Sequence, residues 1–137
     1  MSEGRPHIVV AAGVIRRGDE YFVTRRQAGV HLEGFWEFPG GKCDEGEALE
    51  ACLVREIREE LDAAVRVGAE LLAVTHEYPE RIVELRFFEC ALEGEPQPML
   101  GQEMRWVRRE DLASLPFPPA DAELLELLRV QSPEPRA

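Results

Sequence analysis

The sequence contains no apolar run approaching the roughly 20 residues that span a bilayer, which sets aside a helical membrane protein. Cysteine is scarce: Cys43, Cys52 and Cys90 form no CxxC pair and no histidine-spaced zinc pattern. Neither a disulfide framework nor a structural zinc site is expected, and the three read as reduced thiols. Positive charge is also in deficit, with 16 Lys and Arg against 27 Asp and Glu and a net charge of −11. A surface of that sign repels a phosphate backbone, which excludes nucleic-acid polymers as partners. A small phosphorylated ligand stays open, because divalent cations held between it and clustered carboxylates reverse the local field. The N-terminus, Met1-Ser2-Glu3-Gly4-Arg5-Pro6, lacks the basic-then-apolar order of a signal peptide, so a cytoplasmic location without membrane attachment is the expectation. Internal repeats and low-complexity tracts are missing as well.

What is present suits one globular domain over residues 1–137, with 45% hydrophobic and 31% charged residues. Ile8 to Ile15 reads as a buried strand, Gly18-Asp19 as a turn and Tyr21 to Arg25 as the second arm of a hairpin. A polar loop follows from Arg26 to Gly34, then the short piece Phe35-Trp36-Glu37-Phe38, after which Pro39-Gly40-Gly41 is expected to break regular structure. From Gly46 to Leu61 the period becomes helical, with Leu49, Leu53, Ile57 and Leu61 recurring every four residues. Val65 to Tyr78 and Ile82 to Leu92 predict an antiparallel pair around Pro79-Glu80, and Met104 to Val107 a short strand. One or two helical turns are expected over Asp111 to Leu115 and an amphipathic helix over Ala120 to Val130, with a loose tail at residues 132–137. Strands, helix, strands, helix is the order of an α+β fold, a mixed sheet packed between helices as an α/β/α sandwich.

The chemistry concentrates in Arg55-Glu56-Ile57-Arg58-Glu59-Glu60. Glu56, Glu59 and Glu60 stand at i, i+3 and i+4 of the helix and share one side. Like charges that close disfavour one another's ionised form, and a hard cation such as Mg²⁺ or Mn²⁺ relieves them while keeping sites for water and phosphate oxygens. For E-x-x-E-E alone, a solvated acidic face paired by Arg55 and Arg58 is the ordinary reading. Upstream, however, Gly40-Gly41-Lys42 opens a loop able to approach a metal or phosphate closely. Together these residues read G-x5-E-x7-R-E-U-x-E-E, where U is bulky and apolar, with Gly41, Glu47, Arg55, Glu56, Ile57, Glu59 and Glu60 in every specified place.

This pattern resembles the Nudix box, here residues 41–63. One departure is Asp62 where the family usually has glycine, followed by Ala63 where a larger apolar residue is common; aspartate tolerates the left-handed conformation of a helix cap better than most residues do. The segments Trp36-Glu37-Phe38-Pro39-Gly40-Gly41-Lys42 and Phe117-Pro118-Pro119-Ala120-Asp121 resemble those of the family's MutT-like branch, so the resemblance extends over nearly the whole chain.

The resemblance implies Glu56, Glu59, Glu60 and the Gly40 carbonyl as metal ligands, with Mg²⁺ or Mn²⁺ as cofactor and Arg55 paired to Glu47 in support. Glu103 falls where the branch places a further carboxylate that binds metal or assists the attacking water; its alternative is a surface glutamate at a strand start. The general base stays open among these four carboxylates, with Glu56 or Glu103 favoured. Lys42 would lie near phosphate, Arg26, Phe35, Phe117 and Asp121 near the base, and Glu37 and Gly41 would be further substrate-binding residues. Asp121 replaces the branch's asparagine, and an ionised carboxylate only accepts hydrogen bonds, which suits the amine of cytosine or the N1–H/N2–H₂ edge of guanine. Its alternative role is to N-cap the last helix. His31 and His76 are assigned none. The implied activity is conversion of a nucleoside triphosphate and water to monophosphate and pyrophosphate by a monomer or homodimer. Cytosine or modified (deoxy)nucleotides are the expected substrates, with 8-oxo-dGTP sanitising, or a non-catalytic nucleotide sensor, as alternatives.

Overall fold

The computed structural model describes residues 4–30 and 32–130; His31 and the tail expected to be loose lie outside them. In chain order the elements are β1 (His7–Arg17), β2 (Glu20–Arg25), β3 (Trp36–Glu37), β4 (Gly40–Lys42), α1 (Leu49–Leu61), β5 (Ala64–Glu77), β6 (Ile82–Glu93), β7 (Met104–Arg108) and α2 (Ala122–Val130). Two 3₁₀ turns, Arg109–Ser114 and Pro119–Asp121, lead into α2. The hairpin expected at Gly18-Asp19 forms, with Gly18 at φ 62°. Among the described residues no helix is long and apolar enough to cross a membrane.

The sheet runs β3-β2-β1-β6-β5, with β4 paired to β1 and β7 paired to β2. It is mixed because β1 and β6 run parallel, from His7 opposite Ile82 to Ile15 opposite Cys90, whereas the other pairs are antiparallel. The middle of β1, Ala11 to Ile15, is covered on both faces, which is why it reads as a continuous apolar run rather than an alternating one. On one face Leu53, Ile57 and Leu61 of α1 pack with Ala11, Ile15, Phe22, Val65 and Cys90. On the other, Leu124 and Leu128 of α2 pack with Ala12, Val14, Tyr21, Val23 and Phe87. This is the α/β/α layering that the order of elements implies.

Three local expectations are corrected. Gly40–Lys42 does not break regular structure but forms β4, because Ala11 and Ala12 of β1 are small and Gly40, at φ 154°, has no Cβ to strike the Ala11 carbonyl. The first helix starts at Leu49 rather than Gly46, since Gly46 takes φ 80° in the turn before it. Cys43 and Cys52 are not thiols: they form a disulfide with Cα atoms 5.3 Å apart, and Cys90 is the free cysteine. A nine-residue spacing has no motif value; the helix register and β4 bring the pair together.

At the end of α1, Asp62 adopts φ 51° and ψ 42°, and its N–H donates to the Arg58 carbonyl. The departure from glycine is therefore absorbed by a left-handed cap. Burying Leu53, Ile57 and Leu61 contributes roughly 1.5–3 kcal/mol each, far more than the exposed Arg58–Asp62 pair at 3.9 Å can add. Asp62→Gly is expected to raise stability by up to about 1 kcal/mol, and Asp62→Val to lower it by about 1–2 kcal/mol. Urea denaturation of the three proteins checks both signs.

Candidate active site

The buried stripe of α1 fixes the helix rotation and so decides where its carboxylates point. Glu56 is directed at β4: a Cβ built on Gly41 would fall on the Glu56 carboxylate, so that carboxylate occupies the space a side chain would need. Its side chain is only 15% exposed, whereas Glu59 is 57% exposed. Glu60 turns toward the sheet, where the Gly40 N–H donates to its carboxylate. Desolvation, then the charges of Glu37, Glu56 and Glu59, push the Glu60 carboxyl up to about 8 against that bond.

Arg55 binds the loop to the helix. Its Nε and Nη2 donate to the two oxygens of Glu47 at 2.8 and 2.9 Å, Nη1 to Glu56 at 2.9 Å and to Glu59 at 3.3 Å, and Nη2 also to the Lys42 carbonyl at 3.2 Å. These bonds, with one from the Asp44 N–H, hold the Glu47 carboxyl down at about 2. The supporting Arg55–Glu47 pair expected from the sequence is present.

Among the described residues, no three His, Cys, Asp or Glu side chains converge closely enough to cage a cation as they stand. The donor chemistry nevertheless fits a hard divalent ion. Three carboxylates and an accessible backbone segment supply oxygen ligands, and Glu60 carries a repulsion that a cation would remove. Glu103 is not gathered with them. Its carboxylate is about half exposed and pairs with Arg25 at 3.2 Å and Arg105 at 3.5 Å. Successive residues of an extended chain point to opposite sides, and the neighbour Gln102 is the one that faces α1, its Nε2 donating to the Glu60 carbonyl at 3.1 Å. Sequence reading missed Gln102, a buried amide that closes the last turn of α1; a single glutamine carries no pattern to find it by.

A cleft of about 460 Å³ opens beside the carboxylates. Val10, Ala12, Val83, Leu85 and Phe87 form its apolar floor, and Arg26, Glu37, Lys42 and Asp121 its polar wall. Arg26 and Glu37 are paired at 2.8 Å and also border a smaller hollow that contains Glu60 and Gln102, so one ion pair joins the cleft to the carboxylate helix. Burial raises the Glu37 carboxyl, opposed by Arg26. Asp121 is 7% exposed, ends the 3₁₀ turn that leads into α2, and lines the cleft. Desolvation, reinforced by Glu37, pushes Asp121 up to about 7.

Two expected base-wall residues lie elsewhere. Neither Phe35 nor Phe117 lines the cleft; Phe117 stacks on Phe38 at 5.5 Å, and Phe38 is the ring that reaches it. His76, given no role from the sequence, does line the cleft, together with Tyr78 and Arg81 from the β5–β6 connection. The signal for these three was absent because only the long β5–β6 pairing places them opposite Asp121.

Comparison with known proteins agrees with this geometry. Residues 10–127 match the NUDIX domain family. The chain is 35% identical to the 8-oxo-dGTP diphosphatase of Escherichia coli strain K12 over 122 residues, 88% of this chain and 95% of that one. It is 34% identical to the CTP pyrophosphohydrolase of the same strain over 120 residues, 87% and 89% of the two chains. The solution structure of the E. coli ORF135 protein superposes with a TM-score of 0.83 at 32% identity, over 95% of this chain and 96% of that one. A glycine strand seated on a glutamate-bearing helix, in a fold shared with these relatives along almost its whole length, places the chain in the Nudix family, in its MutT-like branch.

Proposed function

We propose that this protein converts nucleoside triphosphates to monophosphate and pyrophosphate, binding the base in the cleft and directing the phosphates past Arg26 and Glu37 toward α1. Hydrolysis of phosphoanhydride bonds follows from the family and its named relatives. The observation that carries the rest is Glu60, desolvated among Glu37, Glu56 and Glu59 in a small hollow that Arg26 and Glu37 join to a nucleotide-sized cleft. So much negative charge beside a phosphate site calls for a cation, and divalent cations are a general requirement of the family. We assign the seat to Glu56, Glu59, Glu60 and the Gly40 carbonyl, with Mg²⁺ or Mn²⁺ as occupant because every donor is a hard oxygen. When bound, the cation offsets charge on the nonbridging phosphate oxygens and favours attack by water.

The chain's own groups do the rest. Lys42 and Arg26 attract the phosphate chain, Arg55 keeps Glu56 and Glu59 oriented, and the apolar floor excludes water from the base. Glu56 lies in the seat and Glu103 outside it, which supports Glu56 as the acceptor of the water's proton. Glu103 joins only by leaving Arg25 and Arg105, exposed pairs worth about 0–1 kcal/mol. We place this activity in the cytoplasm, where nucleoside triphosphates are made and used.

For the base, the buried carboxyl of Asp121 in the cleft wall is the group we assign to recognition. Ionised, it accepts from the exocyclic amine of cytosine. Protonated, it presents a donor and an acceptor as asparagine does, and this keeps 8-oxo-guanine as the second reading.

Glu59→Gln should lower turnover by two or more orders of magnitude with the fold intact. Chromatography of products from ordinary, 8-oxo and 5-methyl nucleoside triphosphates with Mg²⁺ measures this, and full activity in the variant would remove the proposed seat. If the unsubstituted protein turns over none of them, the sensor reading takes its place.

Asp121 carries a pH signature. Its folded value near 7 lies above the ordinary 3.8, so the folded state holds the proton longer than the unfolded chain does. The associated stability is present below about 4 and is lost as pH rises through 7. Asp121→Asn should therefore raise the melting temperature at pH 8 and change it little at pH 4, and should move base preference from cytosine toward 8-oxo-guanine. Thermal melts at the two pH values and the same nucleotide panel test both; an unmoved ranking would take Asp121 out of base reading.

A further inference from the structure

We propose that the Cys43–Cys52 disulfide positions the cation seat, holding β4 with its Gly40 carbonyl against α1 with Glu56 so that strand and helix stay together when the carboxylates close on a cation. This rests on the cation seat assigned above.

Cys43 directly follows β4, and Cys52 stands one helical turn before Glu56. Residues at i and i+4 of a helix share a face, so Cys52 and Glu56 meet β4 from the same side. The contacts agree: Cys52 Sγ lies 3.8 Å from the Gly41 carbonyl oxygen, and the Glu56 carboxylate fills the space above Gly41. The crosslink therefore lies within one helical turn of the place where Glu56 meets Gly41.

β4 is only three residues long and is held along one edge by β1, through Val10, Ala11 and Ala12. Toward α1, its polar ties are the Arg55 Nη2 bond to the Lys42 carbonyl at 3.2 Å and the Gly40 N–H bond to the Glu60 carboxylate. Against these ties acts the repulsion, in the absence of a cation, between the α1 carboxylates and Glu37, three residues before β4. Hydrogen bonds yield to that repulsion, whereas a covalent link one turn away limits how far strand and helix can part. The same link closes the loop containing Glu47, the bidentate partner of Arg55, so the anchor of the seat is confined too. Cys43 is 9% exposed and Cys52 0%, so a reductant reaches the bond slowly and only from the Cys43 side.

The test uses the full chain without nucleotide. A water-soluble phosphine with one water converts the disulfide to two thiols and becomes phosphine oxide; a mass gain of two hydrogens reports completion. A second form, Cys43→Val with Cys52→Ala, removes the crosslink while keeping the site apolar. Mn²⁺ binding is read by loss of the free-ion electron paramagnetic resonance signal, and folding by circular dichroism. Both uncrosslinked forms should bind Mn²⁺ roughly tenfold or more weakly, in the range for lost supports of metal ligands, and reoxidation should restore the thiol form. Lower melting temperatures with unchanged Mn²⁺ affinity would overturn the proposal, leaving the disulfide as a staple for stability alone. Purified protein whose mass shows no disulfide would overturn it too. An oxidised protein that binds no Mn²⁺ would remove the seat itself, an outcome distinct from equal binding by both forms.

Discussion

The Arg55 guanidinium carries the arrangement on which the rest of the site depends. It grips both oxygens of Glu47, reaches Glu56 and Glu59 and bonds the Lys42 carbonyl. An isolated exposed ion pair contributes about 0–1 kcal/mol, and several such pairs decorate this surface without consequence for the site. Arg55 differs because its planar fork meets a carboxylate with two parallel bonds and still has donors left for other partners. A lysine offers a single charge and no such fork. The loop, the strand and the helix thus share one point of attachment, and the carboxylates of α1 keep their orientation despite mutual repulsion.

Much of this was legible from residue order alone. The four-residue recurrence of Leu49, Leu53, Ile57 and Leu61 gave the helix and its buried face, and from these followed the shared side of Glu56, Glu59 and Glu60. The pairing of Arg55 with Glu47 was readable too, because its spacing belongs to a pattern. What stayed hidden depends on contacts between distant segments. The parallel alignment of β1 with β6 leaves no local trace, and with it went the placement of His76, Tyr78 and Arg81 at the cleft. Phe35 and Phe117 looked suited to a base wall by composition, yet strand pairing aims Phe38 there and leaves Phe117 stacked behind it. The disulfide was missed because two cysteines in separate elements announce nothing until the elements meet.

The cleft and the carboxylate helix are electrically one object. Glu37 interacts with Asp121 on one side and with Glu60 on the other, and Arg26 at 2.8 Å from Glu37 is the cation between them. An occupant that brings positive charge to Glu60 therefore lowers the cost of ionising Glu37, and an ionised Glu37 in turn raises the cost of ionising Asp121. The groups of the cleft wall and those of α1 are thus coupled electrostatically through this short chain of side chains.

The parallel partnership of β1 and β6 also sets an order of assembly. Facing residues such as Val10 and Leu85 are roughly 75 positions apart, and contacts of that span are the slow ones to close in folding. α1 and its glycine loop lie inside this span and are synthesised early, but the floor of the cleft does not exist until β6 has emerged and docked. A ribosome-bound fragment ending before β6 thus displays the acidic helix without the cleft beside it, and the two are united only when the distant strand arrives.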